Sequence, residues 1–216
     1  MRAEVSAGSL GAPFRGPAKL APTPRSNTAL PQKLGNFSSL SRALDYAARG
    51  DTGFNFYSAR GVLGNVLTYE RLRREAIATA ERLVRLGLSR GDRVAVPADT
   101  GEDFLKIFFG CQYAGLVPCP VPYSMYLGGK DAYVERIAGM LRCAQVTLIV
   151  SPEELYGYLS EAAALARSGL VLKHRQLADV VATGAQLMPF GADEAAYIQY
   201  SSGSTSEPKG VLITQK

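Results

Sequence analysis

The chain has no tryptophan, a single histidine and only three cysteines among 216 residues. Each scarcity removes a class of chemistry. With His174 alone and no Cys or His near it, a histidine-based metal centre has too few ligands, and a surface or partly buried imidazole is the plainer reading. Cys111, Cys119 and Cys143 are odd in number and lack a Cys-x-x-Cys spacing, so they read as reduced, mostly buried thiols of a cytoplasmic protein, with no disulfide framework. No apolar run is long enough to span a membrane, and the amino terminus lacks the unbroken apolar stretch of a secretory signal. A Ser-His-Asp hydrolase is disfavoured because the run at Ser202 lacks the first Gly of a nucleophile elbow.

The formal charge of +5 suggests nucleic acid until it is located. Arg2, Arg15, Lys19, Arg25 and Lys33 face only Glu4 in the first forty residues, so the remaining body is near neutral and no folded basic face, hence no nucleic-acid partner, is implied. Residues 1–36, rich in Pro, Ala and Gly, read as a disordered basic leader with too few large apolar side chains to offset ordering entropy.

From residue 37 to 216 short apolar runs alternate with amphipathic stretches. Thr68 is placed to cap a helix over 69–86, with Leu72, Ala76, Ala80 and Leu83 on its apolar face and Gly87 to stop it. Arg71, Arg74, Glu75, Arg82 and Arg85 fall outside that stripe and read as solvated. A strand over 93–96 and a helix over 102–114 follow, ended by Gly115. Pro118, Pro120 and Pro122 confine the segment 116–122 to a sheet end or edge, because each removes a backbone donor. Tyr123, Met125 and Tyr126 beside Gly128 and Gly129 read as a mobile loop rather than an acyl pocket. A helix over 131–143, a strand over 146–150, a helix opened by a Ser151–Pro152–Glu153–Glu154 capping box and a last strand over 196–200 complete the pattern. Strand and helix alternating in this way predict an α/β fold, a largely parallel sheet with helices on both faces.

The last strand runs into Ser201, Ser202, Gly203, Ser204, Thr205, Ser206, Glu207, Pro208, Lys209, Gly210 and Val211. Small and hydroxylated residues leaving a strand can turn several N–H groups and hydroxyls toward one point, which suits a polyphosphate, and Lys209 adds a mobile cation. Composition alone leaves an ordinary flexible loop equally open. The Walker spacing is absent, since Pro208 precedes Lys209 where that motif needs Gly and Gly210 follows where it needs a hydroxyl.

The run from Tyr200 to Val211 resembles the signature of the adenylate-forming enzymes, which include acyl-CoA synthetases, fatty-acyl-AMP ligases and peptide-synthetase adenylation domains, with Ser206 where the second Gly usually stands. The runs at 67–72, 86–96 and 110–118 look like the family's opening helix, first strand and second helix, so the resemblance covers about 37–216. Gln199 and the prolines at 118, 120 and 122 look more like the fatty-acyl-AMP ligase branch. The resemblance implies the amino-terminal portion of the large domain of such an enzyme, an incomplete AMP-binding domain ending just after the phosphate loop. It implies ATP and magnesium as cofactors and a carboxylic acid, most simply a fatty acid, as the substrate. The acyl-adenylate would form with release of pyrophosphate, and coenzyme A or an acyl carrier protein would accept the acyl group. Position by position, Ser202, Gly203, Ser204, Thr205, Ser206 and Lys209 would hold the phosphates, Lys209 also serving in catalysis, with Gly210 allowing close approach. Gln215 stands where many members have His. The fragment alone is expected to be inactive, and a non-enzymatic nucleotide-binding or interaction module derived from the family is the alternative.

Overall fold

A computed structural model describes residues 30–124, 128–201 and 208–216. The leader up to residue 29, the loop positions Met125 and Tyr126, and Ser202, Gly203, Ser204, Thr205 and Ser206 lie outside the described residues. Residues 31–37 lie against α1 (Leu40–Ala47): the Lys33 ammonium sits 4.1 Å from the Phe37 ring centroid, and the Tyr46 hydroxyl donates to the carbonyl of Pro31.

The centre is a parallel four-stranded sheet in the order β4-β3-β5-β6, formed by β3 (Arg93–Pro97), β4 (Val117–Val121), β5 (Leu148–Ser151) and β6 (Leu170–Lys173). Alternation along its strands divides the core. Val94, Val96, Leu148 and Val150 face a cluster built with α1, α2 (Tyr69–Arg85), α3 (Glu102–Ala114) and α6 (His174–Asp179). Ala95, Cys119 and Ile149 face the other cluster, built with α4 (Gly129–Ala144) and α5 (Tyr156–Ala166). The sheet is thus covered on both faces, as a doubly wound α/β arrangement requires.

The proline-rich segment becomes β4 at the sheet edge, pairing only with β3 in the parallel ladder, where its missing donors cost no central hydrogen bond. Helix α2 begins at the expected cap: Thr68 Oγ1 accepts the Arg71 N–H at 3.2 Å, a bond of about 1 kcal/mol. Its Leu72, Ala76, Ala80 and Leu83 are fully buried. Helix α3 spans the expected residues and ends on Gly115, whose φ of +69° is the left-handed turn that glycine accepts without strain.

Two readings need correction. Ser151 does not cap a helix; it closes β5 and its hydroxyl donates to the Pro152 carbonyl, Pro152 precedes a 3-10 turn at Glu153–Leu155, and α5 starts only at Tyr156. Glu154 is taken instead by the Tyr123 hydroxyl at 2.5 Å. Arg71 and Glu75 are not simply solvated: Arg71 bonds Glu75 at 2.7 Å and Glu102 at 3.1 Å, and Lys106 bonds both carboxylates at 2.9 and 2.8 Å. Two hairpins also appear beside the parallel sheet, β1 (Gly53–Tyr57) with β2 (Leu63–Thr68), and β7 (Ala195–Ser201) with β8 (Lys209–Thr214), both antiparallel.

Candidate functional site

The strand expected to deliver the phosphate loop is β7, and it pairs with β8 rather than with the parallel sheet. The segment 202–207 therefore joins two antiparallel strands, with Ser201 opposite Lys209 where they meet it. An antiparallel exit keeps both flanks of a short loop fixed by one ladder of hydrogen bonds. Lys209 opens β8 and is exposed, so its ammonium has few packing duties and is free to meet an anion.

Gly210 meets a packing need as well. A Cβ there would come within 3.0 Å of the Ile198 side chain and 3.4 Å of the Tyr200 ring, with Cys143 Sγ at 3.7 Å. The glycine thus lets β8 close against β7 and α4. Tyr200 fastens the same corner, its hydroxyl donating to the Met140 carbonyl at 2.9 Å. Burial, with Cys119 and Cys143 nearby, pushes that phenol well above its ordinary pKa, so it remains a neutral donor. Pro208, the last rigid residue before Lys209, rests on Gly139 of α4, where an added Cβ would meet its ring at 3.1 Å.

Helix α3 holds the other side of the hairpin. The Phe108 and Tyr197 rings lie 5.9 Å apart, and Gln112 donates to the Ala196 carbonyl at 2.6 Å. The base of the hairpin is pinned by Arg90, whose guanidinium bonds Glu194 at 2.7 Å and Met188 O at 3.2 Å and lies 4.6 Å from the Phe190 ring. Arg90 and the Gly191 N–H draw the Glu194 carboxyl down to about 2.

Gln215 does not face open space. It joins Gln112 and the start of α1. The signal that would have found this arrangement is a second polar residue, Gln112, in an otherwise apolar helix face. His174 lies elsewhere, at the carboxyl end of β6, with Nδ1 3.4 Å from Asp103 Oδ2; its side chain is a quarter exposed, the partly buried imidazole expected. All three thiols are free, Cys111 and Cys119 buried and Cys143 exposed. Among the described residues no helix is long and apolar enough to cross a membrane.

Comparison with known proteins agrees with this geometry. The family model of the AMP-binding enzymes matches residues 48–216. A Caulobacter vibrioides protein, provisionally named an acyl-CoA synthetase, is 42% identical over 185 residues, 85% of this chain and 32% of its own length. The medium-chain-fatty-acid–acyl-carrier-protein ligase of Moorena producens is 32% identical over 156 residues, 70% of this chain and 26% of its own. Among solved structures, one from a study of fatty acyl-adenylate ligases of E. coli and L. pneumophila superposes with a TM-score of 0.81 at 37% identity, over 86% of this chain and 33% of that one. The structure of McyG A-PCP complexed with phenylalanyl-adenylate, at 22% identity and a TM-score of 0.72, shares the fold alone. The chain spans about a third of the length of the curated relatives it matches.

Proposed function

Because the chain belongs to the AMP-binding enzyme family, in which acids are activated by adenylation, we propose that its β7–β8 hairpin is the polyphosphate-binding part of an enzyme that activates a carboxylic acid, most simply a fatty acid, at the expense of ATP. The observation that carries this reading is the fixed antiparallel frame around 202–207, with an exposed lysine at its exit, in a chain whose relatives include fatty-acid ligases.

In that reaction two anions must meet and pyrophosphate must leave, so charge neutralisation and alignment dominate the demand on the protein. Ser202, Gly203, Ser204, Thr205 and Ser206 supply the backbone N–H groups and hydroxyls, and Lys209 supplies the positive charge. Gly210 serves the loop indirectly, by letting the strand that carries Lys209 seat against Ile198 and Tyr200. Magnesium would be held chiefly by the polyphosphate oxygens and water and would neutralise part of their charge, so a closed protein cage would not be required. The acyl acceptor in this reading is the thiol of coenzyme A or of an acyl carrier protein. Fatty-acyl-AMP ligase chemistry is the branch favoured by Gln199 and the prolines of β4, and the three free thiols suit a cytoplasmic enzyme.

Titration of the chain with ATP and with inorganic pyrophosphate by calorimetry tests the reading. Saturable binding of both, each displacing the other, is expected; absence of both would remove the polyphosphate role from the hairpin.

A further inference from the structure

The β7–β8 hairpin makes no ladder with the parallel sheet, so its place and tilt are set by side chains. A two-stranded hairpin has little stability of its own and takes its orientation from what it rests on. At the end away from the phosphate loop it rests on two amides. Gln112, 1% exposed within α3, donates from Nε2 to the Ala196 carbonyl at 2.6 Å. Gln215 donates from Nε2 to Gln112 Oε1 at 2.7 Å and to the Ala195 carbonyl at 2.9 Å, and its Oε1 accepts the backbone N–H of Leu40, first residue of α1, at 2.9 Å. The orientation of the Gln215 amide is forced, since Leu40 N–H can only donate and Ala195 O can only accept.

We infer that Gln112 and Gln215 are positioning residues for Lys209, tying the base of the β7–β8 hairpin to α3 and α1 and so fixing where Lys209 stands. The inference rests on the reading of the loop as a polyphosphate site. From Ala195 to Ser201 the strand extends about 20 Å at the usual rise, so a small tilt at the base becomes a larger displacement at Ser201 and Lys209. Position 215 needs two donors and one acceptor on one terminal group. Glutamine has them, whereas a neutral imidazole offers one donor and one acceptor. The Gln found here is therefore matched to Gln112, and histidine in its place would leave either Gln112 Oε1 or Ala195 O without its donor.

The test compares the 216-residue chain with Gln112→Leu, Gln215→Leu and Gln215→His by amide hydrogen exchange and by ATP titration. Both leucine variants are expected to speed exchange in β7 and β8 at least tenfold while β3 and β5 keep their protection, and to weaken ATP binding severalfold. Gln215→His should fall between them and the parent. If a leucine variant does not fold, Gln215→Asn, which keeps the amide but withdraws it by one methylene, carries the same comparison with the same expected direction. Unchanged hairpin exchange, or equal acceleration in β3 and β5, would overturn the anchoring. Faster hairpin exchange with parental ATP affinity would overturn the positioning role. Failure of the parent chain to bind ATP would sink the polyphosphate reading instead, and the exchange data would still decide whether the amides anchor the hairpin.

Discussion

At the scale of single residues, exposure separates groups kept for chemistry from groups kept for packing. Lys209 is exposed at the head of β8, so Lys209→Ala removes charge and little else. Thermal unfolding should stay within about 0.5 kcal/mol of the parent, as for other surface substitutions. ATP affinity should fall at least severalfold, and equal affinity in the two proteins would take Lys209 out of the site. Gly110 shows the opposite case. A Cβ there would sit 2.8 Å from Thr79 Cγ2 and 3.3 Å from the Ala76 carbonyl, at the place where α3 crosses α2. Gly110→Ala should cost roughly 1–3 kcal/mol, the usual range for overpacking, measured by chemical denaturation. Adding Thr79→Ser should recover part of that loss; no recovery would place the strain elsewhere. The exposure of Lys209 was legible from its neighbours along the chain. The roles of Gly110 and Gly210 were not, because what a missing Cβ makes room for is a contact between segments far apart in sequence.

At the scale of elements, local signals succeeded where local physics decides. Thr68 and Gly115 ended their helices as expected, because capping and left-handed turns involve neighbours in sequence. The capping box at Ser151 failed because the same four residues were wanted by two partners: β5 kept Ser151 in its ladder with Lys173, and Tyr123 took Glu154. The β8 strand was visible only as an apolar run, since its antiparallel pairing depends on β7 and on the glycine that lets the two close. One element, the turn that leads into β7, has a pH dependence that can be derived. The Glu194 carboxyl is held at about 2 by Arg90 and the Gly191 N–H, below its ordinary value of 4.5. A depressed carboxyl contributes stability that is fully present above its unfolded value and is lost as pH falls through its folded one. Acidification from pH 5 to 2 should therefore loosen 188–194 and the base of β7. In Glu194→Gln the drop in melting temperature across that window should be smaller than in the parent. An identical drop in both proteins would mean that the Arg90 contact contributes nothing to stability.

At the scale of the whole molecule, a sheet covered on both faces stands beside a hairpin with one strand largely exposed. The parallel sheet packs a buried apolar cluster on each face. The β8 strand is different: Val211 and Leu212 are 51% and 57% exposed, although both belong to the strand that carries Lys209. The relatives are about three times longer than the chain. In the proposed reading the hairpin supplies what polyphosphate binding needs, a loop and a cation. Adenylation needs in addition that a carboxylate be held in line with the α-phosphate, and such alignment can supply about 7–11 kcal/mol of a barrier. A chain able to hold the phosphates without aligning the acid would gain affinity for ATP and almost none of the rate. The 216-residue chain is therefore expected to bind ATP or pyrophosphate weakly and to form no acyl-adenylate from any carboxylic acid. Incubation with ATP, magnesium and a panel of fatty acids, followed by mass spectrometry for acyl-AMP, checks this directly. Abundant product would show that this α/β unit and its hairpin already contain the groups that align the carboxylate, and the cleft beside Pro208 formed by Gly139, Arg142 and Cys143 would then be the first place to look for them.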